Sequence, residues 1–188
     1  MTIPFTQYTR VIFLDIDGVI RHNGSLLYLD YDLSDLAYNL TQQYKTNYQQ
    51  YSKEELGVVY YDWDREAIER LKHIIQQTGA KIVITSTWRE QGLQRLIDFF
   101  RLYSLENVII GMTDKLNSKD KAIISNHKYY HVRTLEILKY LQNHPEIGSY
   151  VAIDDMNISK GIEDNFIQTK ELLSDEDCIR CIGILQDN

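Results

Sequence analysis

In VIFLDIDGVI, residues 11–20, an apolar run ends in two carboxylates one residue apart, Asp15 and Asp17, followed by Gly18. Strand periodicity aims residues i and i+2 to the same side, and a glycine lets the backbone turn away without a Cβ clash. Like charges this close raise one pKa unless a cation neutralises them, and a hard divalent ion held by oxygens suits such a pair. So does a division of labour, with one carboxylate as nucleophile and the other as proton donor. A second acidic pair, Asp154 and Asp155, ends YVAIDD, and the hydroxyls of Thr85, Ser86 and Thr87 follow KIVI, with Trp88 and Arg89 behind them. Small hydroxyls at a strand end suit a phosphoryl oxygen, and Arg89 suits the charge of a substrate. A calcium-loop reading of Asp15–Gly18 fails, because that pattern needs a third oxygen ligand before the glycine and a distal glutamate. Three such strand ends in one chain read as a metal-dependent phosphoryl site.

The elements that must position these groups are visible as apolar runs. VIFLD (11–15), KIVITS (81–86), NVIIG (107–111) and YVAID (150–154) are rich in β-branched residues with little alternation, as expected for strands buried on both faces of a parallel sheet. Between them lie amphipathic helices. Residues 64–78 carry Ala67, Ile68, Leu71, Ile74 and Ile75 on one face, with Gly79 at the expected stop. Leu93, Leu96, Ile97 and Phe100 repeat the pattern, as do Leu135, Leu138 and Leu141 ahead of Pro145. Strand–helix alternation of this kind predicts an α/β protein with a Rossmann-like, doubly wound parallel sheet. Ligands of such sheets bind outside the carboxyl ends of the strands, where the acidic pairs fall.

Residues 21–60 break the alternation. Tyr28, Tyr31, Tyr38, Tyr44, Tyr48, Tyr51, Tyr60 and Tyr61, eight of the fourteen tyrosines, lie in or directly after this segment. Leu33, Leu36, Leu40 and Tyr44 share one side of a helix. The segment is expected to be a small helical, cap-like insert standing over the end of the first strand, within a single domain of residues 1–188. Its tyrosines offer either stacking surface for a nucleobase or ordinary amphipathic packing.

Composition excludes several classes. A net charge of −7 argues against a protein that coats nucleic acid. No run approaches a membrane span, the start lacks a signal-peptide pattern, and two cysteines make no disulfide framework, so a cytoplasmic protein is expected. Cys178 and Cys181 share an apolar helix face over 175–185 with Ile182 and Leu185, which reads as core rather than a zinc or redox motif. His22, His73, His127, His131 and His144 lack metal-ligand spacing.

With these residues in place, the sequence resembles the haloacid dehalogenase (HAD) superfamily. FLDIDGV resembles its first motif, IVITS its second and VAIDD its fourth. STWRE, RTLEILKYL and the tail NFIQTKELLSDEDC further resemble the HAD domains of Swiss Army Knife RNA-repair proteins, from about residue 10 to the C-terminus. The resemblance implies a Mg²⁺-dependent phosphatase in which Asp15 takes the phosphoryl group as an aspartyl-phosphate and Asp17 is the general acid and base. It implies Mg²⁺ on Asp15, Asp154 and the backbone carbonyl of Asp17, with Asp155 either a ligand through water or a group behind the ligands, and Ser86 or Thr85 on a phosphoryl oxygen. It asks for a cation ahead of the helix before the fourth motif. Arg133 is the choice, with Lys119, Lys121 and Lys128 as rivals. The expected partner is a phosphorylated small molecule, nucleotide or nucleic-acid end. Two competing functions are a phosphotransferase and a non-catalytic phosphate- or partner-binding protein. Retention of both Asp15 and Asp17 speaks against the latter.

Overall fold

The computed structural model describes residues 9–117, 120 and 129–187. Five parallel strands, β1 (Thr9–Leu14), β2 (Lys81–Ile84), β3 (Ile109–Met112), β4 (Ile147–Asp154) and β5 (Phe166–Gln168), form one sheet in the order β3-β2-β1-β4-β5. The expected α/β class and parallel sheet are thus observed. β1 lies at the centre, with Phe13 between Val83 and Ala152 and Leu14 between Ile84 and Ile153. The two faces of β1 feed different cores: Ile12 and Leu14 join the larger one, Val11 and Phe13 the smaller, all of them fully buried. Burial on both faces, at about 1.5–3 kcal/mol for each large apolar side chain, is why the strand reads as an unbroken apolar run.

Helices α1 (Leu36–Tyr44), α2 (Lys53–Gly57), α3 (Arg65–Thr78), α4 (Leu93–Arg101), α5 (Val132–Asn143) and α6 (Asp175–Gln186) accompany the strands. Asp64 caps α3 by accepting from the Ala67 amide at 2.7 Å, and Gly79 ends it at φ +69°. At the far end of β1, Arg10 donates to the carbonyls of Leu185 and Thr78, fastening the strand to the ends of α6 and α3. Cys178 and Cys181 are buried thiols of α6, in the larger core as expected.

Three expectations are adjusted. The third strand begins at Ile109, because residues Glu106–Val108 form a 3₁₀ turn. β5 has no counterpart in the sequence reading, being only three residues long. The insert splits into two parts. Its first residues rim the carboxylates, as described below, while its helical part packs sideways on α4. Tyr48 donates to the Asp98 carbonyl and Tyr51 to the Asp98 carboxylate, both at 2.6 Å, and Tyr44 donates to the Leu102 carbonyl. These three tyrosines are packing groups with satisfied hydroxyls. Tyr31 and Tyr61 instead stack on each other, ring centroids 3.8 Å apart. A π-helical turn, Val58–Asp62, then returns the chain to Trp63, which stacks on Tyr103 in the core.

Candidate active site

Asp15 is the first residue beyond β1, still tied to β4 by its amide donating to the Ile153 carbonyl at 3.0 Å. It continues the Val11–Phe13 face, which α5 covers through Ile137 and its neighbours. That placement brings Arg133, in the first turn of α5, onto Asp15. One guanidinium nitrogen of Arg133 donates to Asp15 Oδ2 and to Asp154 Oδ2, each at 2.6 Å. All three residues are buried. Arg133 therefore bridges the two carboxylates. Its rivals Lys119, Lys121 and Lys128 lie outside the described residues, as does His127.

Asp154 ends β4, and its Oδ1 accepts from the Met156 amide at 2.9 Å. Burial and the charge of Asp15 lift Asp154 to about 6, against the pull of Arg133. Burial also raises Asp15, opposed by Arg133 and by the neighbouring Ser86 hydroxyl. Asp155 is partly exposed and accepts from the Asn23 side chain at 2.7 Å. Oxygens of Asp15, Asp154 and Asp155 all lie within 4.8 Å of one another.

Gly18 makes this approach achievable. Its φ is +74°, and a Cβ there would lie 2.5 Å from Asp155 Cβ and 2.6 Å from its Oδ2. The Gly18 carbonyl is held in turn by the Thr169 hydroxyl, just after β5, at 2.7 Å.

A divalent cation fits these residues on two grounds. Asp15 Oδ1 is buried without a hydrogen-bond partner of adequate geometry among the described residues, and such an orphan needs a ligand. Three carboxylates facing one guanidinium also leave two negative charges to be matched, and the all-oxygen donor set is that of a hard ion.

Asp17 takes different partners. Its Oδ1 pairs with Arg21 at 2.7 Å and its Oδ2 accepts from Trp88 Nε1 at 2.9 Å. Its carboxylate is therefore outside the group formed by Asp15, Asp154 and Asp155. Beyond the end of β2, Thr85 is buried and donates its amide to the Leu14 carbonyl, Ser86 is fully buried beside Asp15, and Thr87 is exposed.

Arg89 corrects the sequence reading. It is buried and donates to the Ser86 carbonyl and to the carbonyl and hydroxyl of Thr113, and it pairs with Glu136 of α5 at 2.9 Å. Held by Ser86 and Thr113 and charge-paired with Glu136, it braces α5 against the end of β2, and its charge is not left for a substrate. The sequence assigns no role to Arg21, Asn23, Asp62 or Trp88. Arg21 carried a signal, an opposite charge four residues after Asp17; Asn23, Asp62 and Trp88 carried none.

Carboxylates, a bridging arginine and small hydroxyls at the carboxyl ends of a parallel α/β sheet define a protein of the HAD class. The chain belongs to the family described as the HAD domain in Swiss Army Knife RNA repair proteins, whose sequence model matches residues 11–178. No curated protein and no solved structure gives a significant match. Among the described residues, no helix is long and apolar enough to cross a membrane.

Proposed function

We propose that the protein is a Mg²⁺-dependent phosphate monoester hydrolase working through an aspartyl-phosphate. The observation that carries this reading is the group of buried Asp15 and Asp154 and partly exposed Asp155, with Arg133, at the strand ends. One carboxylate oxygen of Asp15 attacks phosphorus, while Arg133 fixes the carboxylate plane. Asp17 protonates the departing oxygen and then takes a proton from the water that cleaves the acyl phosphate. Ser86, with Thr85 or Thr87, donates to the phosphoryl oxygens. Asp15, Asp154, Asp155 and the Asp17 carbonyl are the residues that would hold Mg²⁺. When bound, Mg²⁺ supplies positive charge that lets an anionic nucleophile approach an anionic phosphate. The family's description, RNA repair, supports a nucleotide or a nucleic-acid end as the substrate.

The test is phosphate release from an aryl phosphate with Mg²⁺ or with EDTA, for the native protein and Asp15→Asn. Metal-dependent release lost in the variant is expected, followed by screening of nucleotides and of 3′- and 5′-phosphorylated oligonucleotides. Silence across that panel with Mg²⁺ still bound would replace the hydrolase reading with that of a phosphate-binding protein. Transfer to added alcohols in place of water would make it a phosphotransferase.

A further inference from the structure

Both oxygens of the Asp17 carboxylate are held, and by residues from two different parts of the chain. Arg21 donates to Oδ1 at 2.7 Å, and the indole of Trp88, from the turn after β2, donates to Oδ2 at 2.9 Å. Each holder is itself fixed. The second terminal nitrogen of Arg21 donates to the Ser25 carbonyl at 2.6 Å and faces Asp62 Oδ2 at 3.5 Å. Asp62 is buried, and its other oxygen accepts from the Tyr28 amide at 2.8 Å. The Arg21 backbone is pinned too, its carbonyl accepting from the Gly18 amide and its chain bridging to Trp63. Trp88 meets Trp63 and Phe99 edge-on, at 5.7 and 6.4 Å. An exposed aspartate needs none of this. Asp17 keeps 30% of its side-chain surface open, yet its torsions are fixed from both sides.

We propose that Arg21 and Trp88 are positioning residues that orient Asp17 for proton delivery to the leaving oxygen, with Arg21 anchored through Ser25 and Asp62. The inference rests on the hydrolase reading above. Each carboxylate oxygen has a second lone pair, so the two donors fix the group without occupying the position that carries the proton. In the step concerned, a bond forms from an Asp15 carboxylate oxygen to phosphorus as the ester P–O bond breaks. The Asp17 proton passes to the departing oxygen, leaving Asp17 as the anion that Arg21 is placed to hold. A positioned acid contributes about 10²–10⁴-fold, and misplacement by an ångström removes about 10² of that.

The experiment compares two matched esters, phenyl phosphate and 2,4-dinitrophenyl phosphate, by kcat/KM, which reports the step that expels the leaving group. Dinitrophenolate departs without a proton, whereas phenolate leaves far better with one. For Trp88→Phe, which keeps the ring and removes the donor, and for Arg21→Met, kcat/KM on phenyl phosphate should fall about 10–100-fold. The fall on the dinitrophenyl ester should be at least about tenfold smaller. Arg21→Lys, retaining a cationic donor, should recover part of the loss. If one variant does not fold, the other carries the test. Equal losses on both esters, or none on either, overturn the positioning role while leaving the hydrolase reading intact. A native protein without Asp15-dependent release on either ester or on the nucleotides and phosphorylated oligonucleotides overturns both.

Discussion

Replacing Arg133 by methionine removes the only guanidinium that the described residues bring to both Asp15 and Asp154. Both carboxylates stay buried, and breaking a buried ion pair by deleting one partner costs about 3–5 kcal/mol. That is a large share of a net stability of about 5–15 kcal/mol. The loss depends on pH, and its sign follows from Asp154. Burial and Asp15 hold its folded-state pKa at about 6, above the ordinary 3.8. Between those values the folded chain binds more protons than the unfolded one, so stability from this group is highest below 3.8 and falls as pH rises to about 6. The full fall is about 3 kcal/mol. Without Arg133, the carboxyl pKa values move higher and the window extends upward. The variant should therefore lose about 3–5 kcal/mol at pH 7 in EDTA, and about half of that or less at pH 5, where its carboxyls are neutral. Mg²⁺ at pH 7 should return part of the loss, since a ligand of the folded state alone stabilises it. Urea unfolding at both pH values, with EDTA and with Mg²⁺, measures each quantity. A loss below about 1 kcal/mol at pH 7, or the same loss at both pH values, refutes the reasoning.

Gly18→Ala puts a methyl group onto Asp155 and an L-residue at φ +74°; it should cost at least about 1 kcal/mol and raise the Mg²⁺ concentration needed for half-maximal phosphate release. Tyr48→Phe removes a buried hydroxyl that bonds the Asp98 carbonyl at 2.6 Å, and urea unfolding should show a loss of about 1–2 kcal/mol with turnover unchanged. Cys178→Ala, in the α6 core face away from the carboxylates, should leave turnover intact and lower stability by about 1 kcal/mol; loss of activity there would reopen a chemical role for the thiols.

The parts of this molecule legible in the sequence are those whose neighbours are local or whose burial is two-sided. β1, β2 and β4 announce themselves because sheet and helices cover both faces, and α3 because Asp64 and Gly79 mark its ends. β5 escapes notice because three residues give no period to read. At the site, Asp15, Asp17, Asp154 and Asp155 stand out as carboxylates ending apolar runs, and Arg133 through its family likeness. Arg89 was misjudged because its partner Glu136 lies far along the chain, and nothing in STWRE shows that a buried acid awaits it. Separation along the chain likewise hides Trp88 from Asp17, 71 residues away. The tyrosines of the insert looked alike in sequence, but the hydroxyl partners on α4 separate Tyr44, Tyr48 and Tyr51 from the Tyr31–Tyr61 stack.

The bridge from Arg133 to Asp15 spans 118 residues, which has a consequence for the order in which the chain folds. Every strand pairing in the sheet is parallel and joins distant segments, a topology that assembles slowly. Docking of β4 beside β1 brings Asp154 toward Asp15, and until α5 follows, that junction holds two like charges losing their water together. The strands and α5 are thus obliged to arrive as one unit, or with protons or cations standing in for the guanidinium. Folding with an open α5 is thereby penalised, and the Arg133 countercharge doubles as a checkpoint on completion of the fold.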